Sequence, residues 1–415
     1  MRTAARSIGA ATLALSLALA GIAVAQSGDR APGERFAIDI NKLPAPYSSP
    51  SAVNPAERVP RPATATLRVP AGFRATLFAD NLDHPRTILV APNGDVLIAE
   101  SQTGSVTLLR DADADGRADL KSTLVEGLNR PFGLAIQPDG LYIADVAGVW
   151  RVDYAPGDLK PRGRPARITP AGALGPASGH WTRNLAFHPD GRSFYVSVGS
   201  AGNIAEEPSP RATIQQFNRD GSGQRTLAGG LRNAIGIAIR PGTADLWAVV
   251  NERDGLGDDL VPDYLGKIEP GSFHGWPYAW LGARPQPGLG AKRPDLVAAT
   301  RVPELLFEAH SAPIHMAFYD KTLFPERYRG GAFVALQGSW NADKPRGYFV
   351  AFVPFGADGK PAGGYEVFAS GFWIAGASRA TIWGKPAGVA VAPDGALFMS
   401  DDVGRTIWRI VPSGR

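Results

Sequence analysis

From Gly72 onward, short apolar runs alternate with polar turns, and one arrangement of hydrophobic and polar positions keeps returning. The segments Asp83-His-Pro-Arg-Thr-Ile-Leu-Val-Ala-Pro-Asn-Gly94, Asn129-Arg-Pro-Phe-Gly-Leu-Ala-Ile-Gln-Pro-Asp-Gly140 and His180-Trp-Thr-Arg-Asn-Leu-Ala-Phe-His-Pro-Asp-Gly191 share it. So do Arg232-Asn-Ala-Ile-Gly-Ile-Ala-Ile-Arg-Pro-Gly-Thr243 and Gly384-Lys-Pro-Ala-Gly-Val-Ala-Val-Ala-Pro-Asp-Gly395. Each predicts a short strand, a tight Pro-Asp-Gly type turn and a return strand such as Val96–Glu100 or Leu397–Asp401. A degenerate sixth copy passes through Ile314-His-Met-Ala-Phe318 and returns at Gly331-Ala-Phe-Val-Ala-Leu336.

The turn prolines Pro92, Pro138, Pro189, Pro241 and Pro393 are spaced by 46, 51, 52 and then 152 residues. The long interval holds the degenerate copy and two insertions. Hairpin units of that period predict an all-β fold, a six-bladed β-propeller over residues 71–415. The run Phe73-Arg-Ala-Thr-Leu-Phe-Ala79 is a spare strand that can complete the sheet ending in Thr406-Ile-Trp-Arg-Ile410. A β-sandwich would not repeat one turn at a fixed period.

Composition adds exclusions. With 49 Gly and 36 Pro in 415 residues, long helices are excluded, while a 44% hydrophobic fraction supplies a packed core. There is no Cys, which removes disulfides, thiolate metal sites, Cys nucleophiles and covalently attached haem. A net charge of +4 from 43 cations and 39 anions is too mixed to argue for nucleic acid. Residues 1–25, with Arg2 and Arg6, an apolar run to Ile22 and then Ala23-Val-Ala25, read as a signal peptide. An uncleaved anchor is the alternative reading of that run. No second long apolar stretch follows, so the expectation is a periplasmic or secreted protein without stable membrane insertion. Residues 26–70, rich in Pro and Ser, read as an extended arm.

Counting back from each turn Pro aligns the residues that enter the inner strands. Nine before it stand Asp83, Asn129, His180, Arg232 and Gly384; eight before it, His84, Arg130, Trp181, Asn233 and Lys385; six before it, Arg86, Phe132, Arg183, Ile235 and Ala387. In a propeller these rows meet at one mouth of the channel, and converging Arg and Lys imply an anionic ligand.

At this point the chain resembles the soluble pyrroloquinoline quinone (PQQ) dependent sugar dehydrogenases, including their L-sorbosone and pyranose dehydrogenase branches. The resemblance spans about Gly72 to Pro412 and is carried by several segments. They are His180 with its following turn, Gly230-Leu-Arg-Asn-Ala-Ile-Gly236, Asn251-Glu-Arg-Asp-Gly-Leu-Gly-Asp-Asp259, Gly275-Trp-Pro-Tyr278, Ala309-His-Ser-Ala-Pro313 and Gly338-Ser-Trp-Asn341. It implies His180 as general base toward the sugar C1 hydroxyl, Arg232 as stabiliser of charge on the reduced quinone, and Asn233 and Lys385 as cofactor contacts. Arg130, Arg86, Arg183 and Lys344 are further cofactor-binding candidates. The resemblance also implies a Ca²⁺ at the loop of Asp254 and Gly255, and a sugar pocket with Trp181, His310, Gln337 and Trp340. The partners expected are a small-molecule sugar and an external electron acceptor, a cytochrome or a quinone. Two departures stand out: Gln337 replaces a His of many sorbosone-type members, and Ala387 replaces a second Arg of the glucose enzymes. The alternatives are a metal-dependent sugar lactonase on a similar propeller and a propeller that only binds. Separately, Asp111-Ala-Asp-Ala-Asp-Gly-Arg-Ala-Asp119 has Ca²⁺-loop spacing at positions 1, 3, 5 and 9, but Ser122 stands where a bidentate Glu belongs.

Overall fold

The computed structural model describes residues 28–414. The segment read as a signal peptide lies outside them, and no helix among the described residues is long and apolar enough to cross a membrane. The repeats form six antiparallel sheets, five of four strands and one of five. Their first strands are Pro85–Val90, Gly133–Gln137, Leu185–Phe187, Asn233–Ile239, Pro313–Phe318 and Pro386–Val391, and each packs beside the next until the last returns to the first. This is a propeller fold, with the first strands around a central channel. Among the described residues the single α-helix, Pro294–Ala299, sits in the insertion before strand Leu305–Ala309.

Ring closure uses the spare strand. Phe73–Ala79 pairs antiparallel with Thr406–Pro412, Ala75 opposite Ile410. The Phe73 ring then meets Phe324, Tyr328 and Phe368 edge-on at centroid distances of 4.8, 5.5 and 5.3 Å. Such contacts add specificity to the area they bury.

Polar contacts bind neighbouring sheets together where second strands end. Ser101 Oγ donates to Pro131 O at 2.6 Å, Ser200 N to Arg232 O at 2.7 Å, Asn251 Nδ2 to Pro313 O at 2.8 Å and Ser400 Oγ to Arg86 O at 2.6 Å. Carboxylates at the same level anchor the loops that enter the first strands: Glu100 accepts from Asp83 N at 2.5 Å, Asp145 from Asn129 N at 2.9 Å and Asp401 from Lys385 N at 2.8 Å. The rows of aligned residues are therefore fixed in height along the channel by buried hydrogen bonds.

The glycine that recurs five residues before the turn Pro has a packing reason. A Cβ on Gly133 would lie 2.6 Å from Leu185 N, and one on Gly388 2.3 Å from Arg86 O and 2.8 Å from Ser400 Oγ. At Gly388 the main-chain N donates to the same Ser400 Oγ at 2.7 Å, so the last and first sheets close on a point with no room for a methyl group. Gly388→Ala is expected to cost roughly 1–3 kcal/mol through overpacking, read as a lower denaturant midpoint at unchanged m-value.

The arm of residues 28–70 lies along the propeller. Arg35–Phe36 adds a fifth strand beside Tyr365–Ala369, and Glu57–Arg58 pairs in parallel with Thr381–Ile382.

Candidate active site

One mouth of the channel opens into a cleft of about 570 Å³. The size suits a ligand of several rings. The third and fourth sheets contribute His180, Trp181, Arg232 and Asn233, the loop after the fourth sheet's second strand contributes Glu252 and Asp254, and the fifth sheet contributes His310, Gln337, Trp340 and Asn341. The last sheet gives Lys385, the first gives Arg86, and the arm gives Arg58.

His180 is held by its Nδ1, which lies 2.9 Å from both the carbonyl and the hydroxyl oxygen of Ser200. A carbonyl only accepts, and the Ser200 hydroxyl donates its own proton to Gly202 O at 2.7 Å. Nδ1 must therefore carry the hydrogen, and Nε2 presents a lone pair. Burial, reinforced by the Arg232 charge, pushes the His180 pKa down to about 4, against a smaller opposing contribution from Ser200 and Asp254. The imidazole is neutral at physiological pH, so Nε2 can accept a proton. Histidine NMR is expected to show His180 neutral and Nδ1-protonated down to about pH 4. Protonation near its ordinary value of 6.5 would contradict this placement.

Arg232 is buried and all five of its N–H groups are engaged. Nε donates to Asn203 O at 3.0 Å, Nη1 to Asn251 O and Glu252 O at 3.3 and 2.8 Å, and Nη2 to Asn203 Oδ1 and Asp254 Oδ2 at 3.0 and 3.5 Å. It lends the cleft a fixed positive charge and holds the loop of residues 251–254 in place. Trp276, from the Gly-Trp-Pro-Tyr segment, braces the same point by donating to Asn203 O at 3.0 Å.

Asp254 faces N–H groups. Asn341 Nδ2 donates to its Oδ1 at 2.6 Å, and His310 Nδ1 lies 3.4 Å from that oxygen. Burial works against its charge, but His310, Arg232 and Asn341 together hold the carboxyl below its ordinary pKa. At His310 burial also opposes charge, and the bond to Asp254 with the Asp263 charge outweighs it, so the pKa is raised. The main-chain oxygen of Asp254 accepts from Asn203 Nδ2 and Arg253 Nε at 2.9 and 3.0 Å. Gly255 is exposed and outside the cleft lining. This donor-rich setting does not suit Ca²⁺, which wants free oxygen ligands. An ion there would have to displace several N–H donors.

Other aligned residues separate. Arg86 lines the cleft, paired with Asp402 and lying over the Phe132 and Trp181 rings at 5.7 and 5.5 Å. Gln337 Nε2 donates to the same Asp402 carboxylate at 2.6 Å, so Gln337 orients the ion pair as well as facing the cleft. Arg183, in the same row as Arg86, is fully buried outside the lining and donates to His180 O, Thr182 O, Leu174 O and Pro176 O at 2.9 to 3.3 Å. Arg130 is exposed, its guanidinium 5.9 Å from the Trp181 ring, and Lys344 lines a separate groove with Arg30 and Glu308. The cation rows thus supply Arg86, Arg232 and Lys385 to the cleft, not five charges.

Several lining atoms have no protein partner. Asn233 Oδ1, His310 Nε2 and Glu252 Oε1 are buried without a hydrogen bond among the described residues. Lys385 Nζ stands 5.1 Å from the Tyr348 ring centroid with neither hydrogen bond nor ion pair there. Burial first, and then Arg58 and Arg86, lower its pKa to about 8 against the pull of Asp402. Burial raises Glu252 to about 7 and Asp263 to about 6. Unspent cations, an open amide oxygen and a neutral imidazole fit a polycarboxylate quinone such as PQQ, with Lys385, Arg58 and Asn233 as the groups free to hold it.

The TrAA12-like family model matches residues 67–269 and 295–412. The chain belongs to the TrAA12-like family. Its relatives include an uncharacterized protein of Borreliella burgdorferi, 26% identical over 358 residues that make up 84% of this chain and 91% of that one. A PQQ-dependent pyranose dehydrogenase of Coprinopsis cinerea is 27% identical over 69% of this chain, which spans 45% of that longer enzyme. The holo PQQ domain of the Coprinopsis cinerea pyranose dehydrogenase superposes with a TM-score of 0.70 at 22% identity, covering 85% of this chain and 98% of the domain.

Reading the sequence alone misses Arg58, because the arm has no periodicity to place it. Ser200 and Glu252 did carry a signal: both stand where second strands end, the level at which Glu100, Asp145 and Asp401 also stand. Outside the cleft, Asp111, Asp113 and Asp115 do converge, with ligand atoms within 4.8 Å of one another. Asp111 already accepts from Asp115 N and Gly116 N, Asp113 from Asp115 N and Asp115 from Arg117 N, and Asp119 accepts from Ala112 N at 2.7 Å.

Proposed function

We propose that the protein is an exported PQQ-dependent sugar dehydrogenase built on a six-bladed propeller. The substrate would be an aldose or an L-sorbosone-like sugar oxidised at C1, with electrons passed to an external acceptor. The carrying observation is His180: a neutral imidazole with its Nδ1 proton tied to Ser200 and its Nε2 lone pair in a cleft whose cations await an anion. The family match and the pyranose dehydrogenase relative support the reading, and the closed ring of first strands supports the blade count.

When bound, the quinone supplies a two-electron acceptor that takes hydride from carbon. The protein's share is positioning and proton transfer. Nε2 of His180 accepts the proton of the sugar hydroxyl as its C1–H electron pair departs, which leaves a C–O double bond. The imidazolium so formed is stabilised by the Ser200 carbonyl, which accepts the Nδ1–H. Trp340, 53% exposed at the rim, offers an aromatic face on which a sugar ring can stack. Lys385 and Asn233 orient the cofactor.

A lactonase built around a central divalent ion is less well supported. Asp263 already accepts main-chain N–H groups from Glu252 and Ala312 at 2.9 Å each, and Asp254 faces three side-chain donors. Of the carboxylate oxygens of Glu252, Asp254 and Asp263, Glu252 Oε1 alone lacks a hydrogen bond among the described residues. Reconstitution with PQQ, followed by dye reduction with aldoses and sorbosone, tests the proposal. A cofactor spectrum with sugar-dependent reduction is expected. Sugar-lactone hydrolysis without quinone, and no cofactor spectrum, would replace it with the hydrolase.

A further inference from the structure

The arm is more tightly joined to the cleft than a linker needs to be. Tyr47 N donates to Leu256 O at 2.7 Å, and Ser49 Oγ accepts from Asp258 N at 2.9 Å, so the arm first fastens the loop that follows Arg232's partners. Asn54 then makes three contacts to the rim: its N donates to Trp340 O at 2.8 Å and its Nδ2 to Asp343 O and Ser378 O at 2.9 and 2.8 Å. Arg379 Nε donates back to Pro55 O at 3.0 Å. The parallel pairing of Glu57–Arg58 with Thr381–Ile382 is closed by Glu57 N to Ala380 O and Val59 N to Ile382 O, at 2.8 and 2.9 Å. Ala56 and Val59 pack on the apolar core.

These contacts place Arg58 in the cleft lining beside Lys385. Its guanidinium makes no hydrogen bond or ion pair among the described residues, and neither does the Lys385 ammonium. Every other cation of the lining is committed: Arg86 to Asp402, and Arg232 to Asn203, Glu252 and Asp254. Two like charges side by side repel one another, and an anion bridging them turns that repulsion into charge-assisted hydrogen bonds. An Arg presents a planar fork that matches a carboxylate, which Lys385 alone lacks.

We propose that the docked arm delivers Arg58 as a cofactor-binding side chain, pairing with Lys385 around a carboxylate of the quinone, so that arm docking and cofactor occupancy stabilise each other. The proposal rests on the cofactor reading above. Coupling of this kind is reciprocal: whatever loosens the arm weakens the cofactor, and the cofactor tightens the arm.

The test uses the full chain and measures PQQ affinity by fluorescence quenching, with arm cleavage by a nonspecific protease as a second readout. Arg58→Ala is expected to weaken PQQ binding at least tenfold with unchanged thermal stability of the cofactor-free protein, since Arg58 is exposed. Arg58→Lys should fall between. Asn54→Ala, which removes the Asp343 and Ser378 contacts, should speed arm cleavage and weaken PQQ binding in parallel. Lys42→Ala removes an arm cation away from the cleft and should change neither. Saturating PQQ should slow arm cleavage in the wild type and fail to do so in Arg58→Ala. If wild type binds PQQ and Arg58→Ala binds it equally well, the role of Arg58 is refuted and the cofactor reading stands. If wild type does not bind PQQ, both fall together.

Discussion

His180→Ala is expected to lower sugar-dependent turnover by roughly 10²–10⁴-fold while PQQ affinity stays near that of the wild type. The proton of the sugar hydroxyl needs an acceptor as hydride leaves, and Nε2 of His180 is the lining nitrogen whose lone pair is both neutral and fixed in direction. His310, the other imidazole of the cleft, is held toward its charged form by Asp254 and is a poor substitute. The loss should therefore appear in kcat and kcat/KM together, as for an interaction made during reaction. His180→Gln should share the defect because an amide of that size has no basic nitrogen. Added imidazole should restore part of the rate in the alanine variant. Turnover within a few-fold of wild type, at normal cofactor occupancy, would remove His180 from the chemistry and leave Glu252 as the next base to examine.

The second large effect is expected from a residue that never faces the cleft. Arg183→Met should destabilise the protein by about 3–5 kcal/mol, because each buried carbonyl left without a donor costs about 1–3 kcal/mol. Its guanidinium serves four main-chain carbonyls between Leu174 and Thr182, and a methionine of similar length leaves three of them, Leu174 O, His180 O and Thr182 O, in the interior without that donor, while Pro176 O keeps Arg211. Arg211 holds the other side of the same loop through Pro176 O, Ser178 O and Gly199 O at 2.7, 2.6 and 3.1 Å, so the loop should loosen without being lost. His180 stands at the end of this loop, and its own carbonyl is one of the four. The variant should accordingly show both a reduced denaturation midpoint and a lower kcat, with PQQ still bound. Stability within 1 kcal/mol of wild type would show that the carbonyls find other donors.

The contrast between Arg183 and Arg86 shows where sequence reading stops. Both stand six residues before a turn proline, and the repeat placed them at the same height on the channel. Height follows from strand period and turn position, which are local, so the strands, the turns and the closing role of Phe73–Ala79 could be read from the pattern. Direction depends on which acceptors surround the side chain. Asp402 draws Arg86 to the cleft, whereas a carbonyl-rich loop takes Arg183 inward. His180, Arg232, Asn233 and Lys385 come together because they enter first strands from nine or eight residues before the turn, where the loops open onto the mouth. Arg130 occupies the same register and leans over Trp181 instead. Arg58 had no register at all, since its place depends on bonds to residues more than three hundred positions away.

The pairing of Phe73–Ala79 with Thr406–Pro412 also bears on how the chain reaches its native state. Almost every other pairing is between strands adjacent in sequence and needs only a short loop to form. This one joins the first strand of the ring to the last, so its loop-closure entropy is met at the largest sequence separation the propeller contains. The last sheet is incomplete until the whole ring has been synthesised, and until then it presents an unpaired edge of the kind that invites association between chains. Folding speed and solubility of the unfinished protein are thus tied to one seam, while most of the hydrogen bonds that stabilise the finished one lie elsewhere.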